Sequence, residues 1–258
     1  YKMFETLNDR GLRTSQADLI KNFLFGKAGT RFPEVQTRWS YMRSSLESLG
    51  ESDITVTFLR HALIVMRGYL RESQVYDVVQ EIVKSEQGAV ACATTLENLA
   101  SAYVATFNPE NERWNGLHDS VRRSIEVLNL LDIKPMRPLL LAIAGKFDKK
   151  ELGSAFQFVV SLAVRLVIAS STRSGSIELA VANAAFEVFS AKITDTSAMK
   201  RALGEIKPSN EEFGAAVEVA KVSQAKFARY YLRSLEMAVK GEPEPWFVPT
   251  DDRSVINL

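Results

Sequence analysis

Leu152-Gly153-Ser154-Ala155-Phe156-Gln157-Phe158-Val159-Val160-Ser161-Leu162-Ala163-Val164-Arg165-Leu166-Val167-Ile168-Ala169-Ser170-Ser171 is the stretch whose reading decides the fold. Twenty residues without proline or a turn signal are too long for an ordinary strand and suit a helix. The helix is apolar nearly all round, which predicts the central, buried element of a helical body. Its longest apolar run, 156–169, is interrupted by Gln157, Ser161 and Arg165. That run is shorter than the ~20 residues of a membrane span, so no membrane association is expected. Arg165 in such a helix predicts a buried guanidinium, structural in role, paired with a carboxylate such as Asp132, Glu178 or Glu187, the alternative being a phosphate contact in a cleft.

Working outward, the same helical period recurs. Upstream, Pro135 and Pro138 open a helix carrying Leu139 to Ile143. Leu117, Val121, Ile125 and Leu128 mark another, and the polar segment 108–116 before it predicts a surface loop. A helix opened by Gly88 places Leu96, Leu99, Tyr103 and Phe107 on one face. Ser73 predicts the cap of a short helix burying Val75, Val78, Val79 and Ile82. A helix over 54–70 points Phe58, Leu59, Ala62, Leu63 and Met66 inward and Arg60, Arg67 and Arg71 outward. Val35, Trp39, Met42, Leu46 and Leu49 follow Pro33 at spacings of four, three, four and three, an amphipathic helix. Downstream, 177–193 turns Leu179, Ala182, Phe186 and Phe189 inward. A short helix over 195–207 stops at Pro208, Ser209 and Glu212 form a capping box, and 223–239 is the last long helix before the stiff Glu242-Pro243-Glu244-Pro245 linker. No fixed repeat period is present. The fold class is mainly α, an irregular multi-helix domain of about a dozen helices with short extended segments at both ends.

The composition is that of an ordinary globular chain: 46% hydrophobic and 24% charged residues over 258 positions, with a net charge of +1. No global field recruits nucleic acid, so any DNA contact is a local patch. The single cysteine, Cys92, excludes an intrachain disulfide; with no signal peptide in view it predicts a cytoplasmic protein. Cys92 sits among Val90, Ala91 and Ala93 and reads as a small buried hydrophobe. His61 and His118 have no partners at metal-ligand spacing, and no Walker loop, Gly-x-Gly-x-x-Gly or Ser-His-Asp order occurs. No catalytic or metal-ligating residue is assigned.

The opening residues read differently. Phe4 to Gly11 forms a strand running into a tight polar loop, Asn8-Asp9-Arg10-Gly11, and Ser15 with Asp18 caps the helix that follows. Loop amides beside a helix N-terminus can hold an anion, with Arg10 and Lys21 adding charge. The alternative is a plain turn in which Asn8 and Asp9 bond their own backbone. Asp18 is structural in both readings.

The pattern Phe4-x-x-x-Asn8-x-x-Gly11-x-x-x-x-x-x-Asp18-x-x-Lys21-Asn22 resembles a signature of the GmrSD family of type IV, modification-dependent restriction enzymes of antiphage defence. Tyr230-Tyr231-Leu232 with Leu235-Glu236 resembles the helix that precedes that family's HNH-type nuclease, and Val255-Ile256-Asn257-Leu258 the lead-in to its Glu-His-x-x-Pro motif. The resemblance implies three parts: 1–28, the C-terminal end of a ParB-like nucleotide-binding domain; 29–241, a helical middle domain; and 242–258, a linker and lead-in to the nuclease. It implies a nucleotide- or phosphate-binding group of Asn8, Arg10, Gly11, Lys21 and Asn22, with Phe4 structural. The family's Asp-Gly-Gln-Gln-Arg and HNH motifs are absent here. The expectation is therefore a fragment that is not itself catalytic, from a DNA endonuclease using a nucleoside triphosphate and a divalent metal. DNA would be met through the parent protein, with a homo-oligomer as a further expectation. The competing reading is a non-catalytic helical interaction or regulatory module. Arg60, Arg67 and Arg71, and separately Arg122 and Arg123, form basic patches that read as solvated faces or as phosphate tracks.

Overall fold

The computed structural model describes residues 15–51, 53–169, 174–222 and 224–240, which hold twelve α-helices and no strand. The extended segments expected at the two ends fall on 1–14 and 241–258, outside the described residues.

Helix α1 (Gln16–Lys27) is capped by Ser15, whose Oγ accepts the Asp18 amide at 3.1 Å, and buries Ile20 and Leu24. In α2 (Phe32–Glu47) Pro33 lies in the first turn, where its missing N–H costs nothing. Of the face read from spacing, Val35, Trp39, Met42 and Leu46 are buried, chiefly along α5, whereas Leu49 falls in the turn after the helix and is half-buried. Helix α3 (Ile54–Arg67) ends earlier than the sequence reading, at Gly68, because φ +90° and ψ −166° there suit only glycine. A 3-10 turn, Glu72–Gln74, precedes α4 (Val75–Ile82), so Ser73 lies inside that turn rather than capping the helix. Helix α5 (Glu86–Ala105) starts two residues before Gly88, because the Ser85 hydroxyl accepts the Gly88 amide at 3.1 Å.

The expected surface loop at 108–116 holds a core residue. A 3-10 turn, Glu112–Trp114, drives Trp114 into full burial. Its indole N–H donates to the Ala105 and Asn108 carbonyls at 3.1 and 3.0 Å, and its ring meets Phe156 edge-on at 5.7 Å. Helices α6 (Ser120–Leu131), α7 (Arg137–Lys146) and α8 (Lys149–Ala169) follow. The central helix is α7 and not α8. Every residue from Met136 to Ala144 is buried, since α7 is surrounded by α3, α5, α8 and α9. Helix α8 buries one stripe, Leu152, Ala155, Phe156, Val159, Leu162, Ala163 and Leu166, and leaves Gln157, Ser161 and Val167 exposed. By length and composition it is the one described helix that could cross a membrane; it packs against α6, α7, α10 and α11.

Helix α9 (Ser174–Phe189) buries Ile177, Val181, Ala184, Ala185 and Val188. Leu179 falls on the opposite face and is exposed, contrary to its expected inward position. The chain leaves α9 through Ala191 in a left-handed conformation, φ 59°. Asp195 caps α10 (Thr196–Ala202). The capping box read at Ser209 and Glu212 opens α11 (Asn210–Val219) with both bonds made, at 3.1 and 2.8 Å. Helix α12 (Ala225–Lys240) rests on α6 and buries only Tyr230.

Candidate functional site

Of the residues read as a phosphate group, Asn8, Arg10 and Gly11 lie outside the described residues, as does Phe4. Asp18, Lys21 and Asn22 are spaced three and four apart on α1, so they share one face. The Asp18 carboxylate accepts the Ser15 hydroxyl and the Lys21 ammonium, each at 2.9 Å. Those two bonds, Lys21 first, hold the Asp18 carboxyl below its usual range. Asp18 thus takes part in the cap of α1 and also engages the Lys21 charge. Asn22 is exposed. Asp18 lines a cleft of about 200 Å³ shared with Arg43 and Asp53.

Among the described residues Arg165 meets no carboxylate. It sits half-buried at the edge of the α8 stripe and donates to the Pro208 and Ser209 carbonyls at 3.1 and 3.2 Å and to Asn210 Oδ1 at 2.7 Å. Its guanidinium lies 4.8 Å from the Phe213 ring centre. It clasps the start of α11. Two of its expected partners serve other arginines. Glu178 accepts Arg60 at 2.8 Å, and Asp132 accepts Arg137 at 3.3 Å. Arg60 is therefore not a free member of the basic stripe with Arg67 and Arg71. Arg122 likewise donates to Asn115 and Glu110.

The buried cation is Arg137, 5% exposed, at the start of α7. It donates to Asn129 Oδ1 at 3.0 Å and stacks over Phe107 at 3.9 Å. Asp132 reaches it from a left-handed position, φ 43°, at the end of α6, a conformation aspartate tolerates better than most residues. Near Arg137 lies His61, 8% exposed, whose Nδ1 is 3.0 Å from the Tyr103 hydroxyl. Burial pushes the His61 pKa down to about 3, and the Arg60 and Arg137 charges push the same way, so the ring is neutral at physiological pH. Burial also raises the Tyr103 phenol. Over this pair opens a cleft of about 110 Å³ lined by Arg60, His61, Lys134 and Glu178, with Ile64, Pro135, Pro138 and Ala182. Arg60 Nε, shut from solvent, has no acceptor among the described residues.

Sequence reading weighed His61 only as a metal ligand without partners, and passed over Arg137. For His61 a signal existed: Phe58, His61 and Val65 stand three and four apart, placing the imidazole on the buried face. Arg137 carried no such signal, because its partners come from a neighbouring helix and from a left-handed backbone position. Cys92 is buried, as expected. Among the described residues no three His, Cys, Asp or Glu side chains stand together as metal ligands. Comparison with protein-family models, curated proteins and solved structures found no match to this chain.

Proposed function

We propose that this chain is the helical coupling region of a GmrSD-like, modification-dependent restriction enzyme, linking a nucleotide site at its N-terminal end to a nuclease beyond its C-terminal end. The observation that carries the reading is how the signature residues Asp18, Lys21 and Asn22 are mounted. They stand on α1, which is fixed to the body by buried Ile20 and Leu24, by Phe23 packed edge-on against Tyr76 at 5.9 Å, and by Gln16 Nε2 donating to the Glu72 carbonyl at 3.0 Å. A change of state at the Asn8–Gly11 loop would therefore be transmitted into α2, α4 and α5 as a movement of one rigid helix. In this reading Asn8, Arg10 and Gly11 contact the phosphates, Asp18 sets the position of Lys21, and DNA, divalent metal and nucleoside triphosphate are engaged by the parent protein. The cytoplasm is its place of action.

The test uses the full-length protein and measures nucleotide hydrolysis, DNA cleavage and phage restriction separately. Arg10→Ala and Gly11→Val are expected to lose all three with unchanged circular dichroism. Phe23→Ala, at the α1–α4 contact, is expected to keep hydrolysis and lose cleavage. Wild-type restriction by all three variants would refute the coupling reading.

A second reading, a non-catalytic interaction module, is favoured by one surface. Ala228, Leu232, Leu235 and Val239 stand four, three and four apart on α12, and the last three are 47%, 61% and 87% exposed. That spacing is a coiled-coil seam. If it joins copies of the chain into a homo-oligomer, sedimentation will show association that Leu235→Asp abolishes; a concentration-independent monomer excludes it.

A further inference from the structure

The cleft above His61 is a second polar site, lined by none of the signature residues on α1. Its walls come from three separate elements: Arg60, His61 and Ile64 from α3, Lys134 and Pro135 from the turn before α7 with Pro138 from α7 itself, and Glu178 and Ala182 from α9. Three features need an explanation together. His61 is more than nine-tenths buried, and although Nδ1 is engaged by Tyr103, Nε2 makes no hydrogen bond to a described residue. Arg60 spends one guanidinium nitrogen on Glu178 and leaves Nε shut from solvent without an acceptor. Lys134 stands at the rim, exposed, with no carboxylate within ion-pair distance among the described residues.

Buried donors without acceptors are costly, about 1–3 kcal/mol each, and rare in folded proteins. Arg60 Nε is one such donor at this cleft; His61 Nε2, which is not shut from solvent, and the exposed Lys134 ammonium are open donors beside it. Its charge balance is two cations to one carboxylate, with Arg137 adding further positive potential from beneath. About 110 Å³ accommodates a few waters or one tetrahedral oxyanion, and is far too small for a nucleoside.

We propose that this cleft binds a phosphate dianion, either free or as the terminal phosphate of a monoester. In the bound form the Tyr103 hydroxyl donates to His61 Nδ1, which fixes the tautomer with the proton on Nε2, and that N–H donates to one phosphate oxygen. The Arg60 guanidinium and the Lys134 ammonium supply charge-assisted bonds to the others. Glu178 holds Arg60 in place and, as an anion at the rim, favours ligands with no negative group beyond the phosphate. The imidazole stays neutral throughout, so it acts as a dipolar donor and not as a counter-ion. The site is independent of the signature on α1 and of the coupling reading.

The experiment is a titration of the purified chain with inorganic phosphate, followed by the His61 ring nitrogens in two-dimensional NMR and by calorimetry. Expected is a saturable change in the His61 Nε2 resonance, with the His118 ring unmoved. Arg60→Gln and Lys134→Gln are each expected to weaken binding about tenfold or more. Lys146→Gln, in a different cleft, serves as the charge-matched control and leaves binding unchanged. Circular dichroism checks that each variant folds. A nucleoside 5′-monophosphate and its unphosphorylated nucleoside make up the second arm. Tighter binding of the phosphorylated form than of inorganic phosphate assigns the site to a monoester end; the reverse assigns it to free phosphate. No change at His61 with either probe, or equal affinity in Lys134→Gln and Lys146→Gln, overturns the proposal.

Discussion

His61 makes the stability of this fold depend on pH in a way that isolates one residue. In the unfolded chain its imidazole titrates at its ordinary value, 6.5, whereas in the folded chain burial lowers it to about 3. Below pH 6.5 the unfolded state binds a proton that the folded state does not, so the folded state loses ground as pH falls. The contribution is whole above about pH 6.5 and is lost progressively toward pH 3. Across that window each step of one in pH removes about 1.4 kcal/mol, giving roughly 2 kcal/mol lost by pH 5 and about 5 kcal/mol at the lower limit. The assay is urea unfolding at pH 7.5 and pH 5.0 for the wild type and for His61→Gln. Glutamine is neutral and can still bond the Tyr103 hydroxyl. The groups around His61, namely Arg60, Arg137, Lys134, Glu178 and Tyr103, are common to both proteins, as is the exposed His118. The variant's loss of stability between the two pH values is therefore expected to be about 2 kcal/mol smaller than the wild type's. Equal losses would show that His61 is protonated inside the fold and that its burial has been misjudged.

Three further outcomes follow from single contacts. Trp114→Ala empties a fully buried site and removes an indole N–H bonded to two carbonyls, each of which keeps a backbone donor, so a loss of about 3–5 kcal/mol in chemical unfolding is expected, chiefly from the cavity; a loss under about 1 kcal/mol would return 108–116 to a surface loop. Arg165→Ala removes the clasp on the start of α11 without stranding a buried charge. Hydrogen exchange is expected to quicken over Asn210–Val219 while the global midpoint barely moves, and a global loss beyond about 3 kcal/mol would restore the buried ion-pair expectation. Ala191→Gly relieves a left-handed alanine, and stabilisation by about 1 kcal/mol in thermal unfolding is the expected result; no gain would mean the backbone there is relaxed.

What the sequence made legible was whatever depended on neighbours three or four residues away. The buried face of α2 and the capping box of α11 are local facts; the box was readable to the residue, and the face in all but Leu49, which falls beyond the helix end. Tertiary placement was not. Helix α8 looked central because its composition is apolar, yet composition does not say how many sides are covered; α7 is shorter and equally apolar, and it is the one surrounded. Trp114 sits in a polar stretch whose local chemistry reads as surface, and only the cavity beside Phe156 draws it in. Arg165 and Arg137 are each ordinary arginines in sequence. Which one is buried depends on whether an aspartate in a left-handed turn or a helix start lies opposite. The candidate site divides the same way. The Ser15–Asp18 cap was legible as spacing, while the Asp18–Lys21 ion pair and the His61 cleft, built from three stretches distant in the chain, were not read.

The depth at which Cys92 lies has a practical use. Burial pushes its thiol up to about 12, so at pH 8 only about one molecule in ten thousand presents the thiolate that alkylating reagents attack. It is the only cysteine among the 258 residues. The native protein is therefore already a silent background for thiol chemistry. A cysteine placed at an exposed site such as Tyr41 or Leu235 can be labelled with a spin probe or a fluorophore without first removing the natural one. Distances between α2 and α12 then become measurable in the unaltered core.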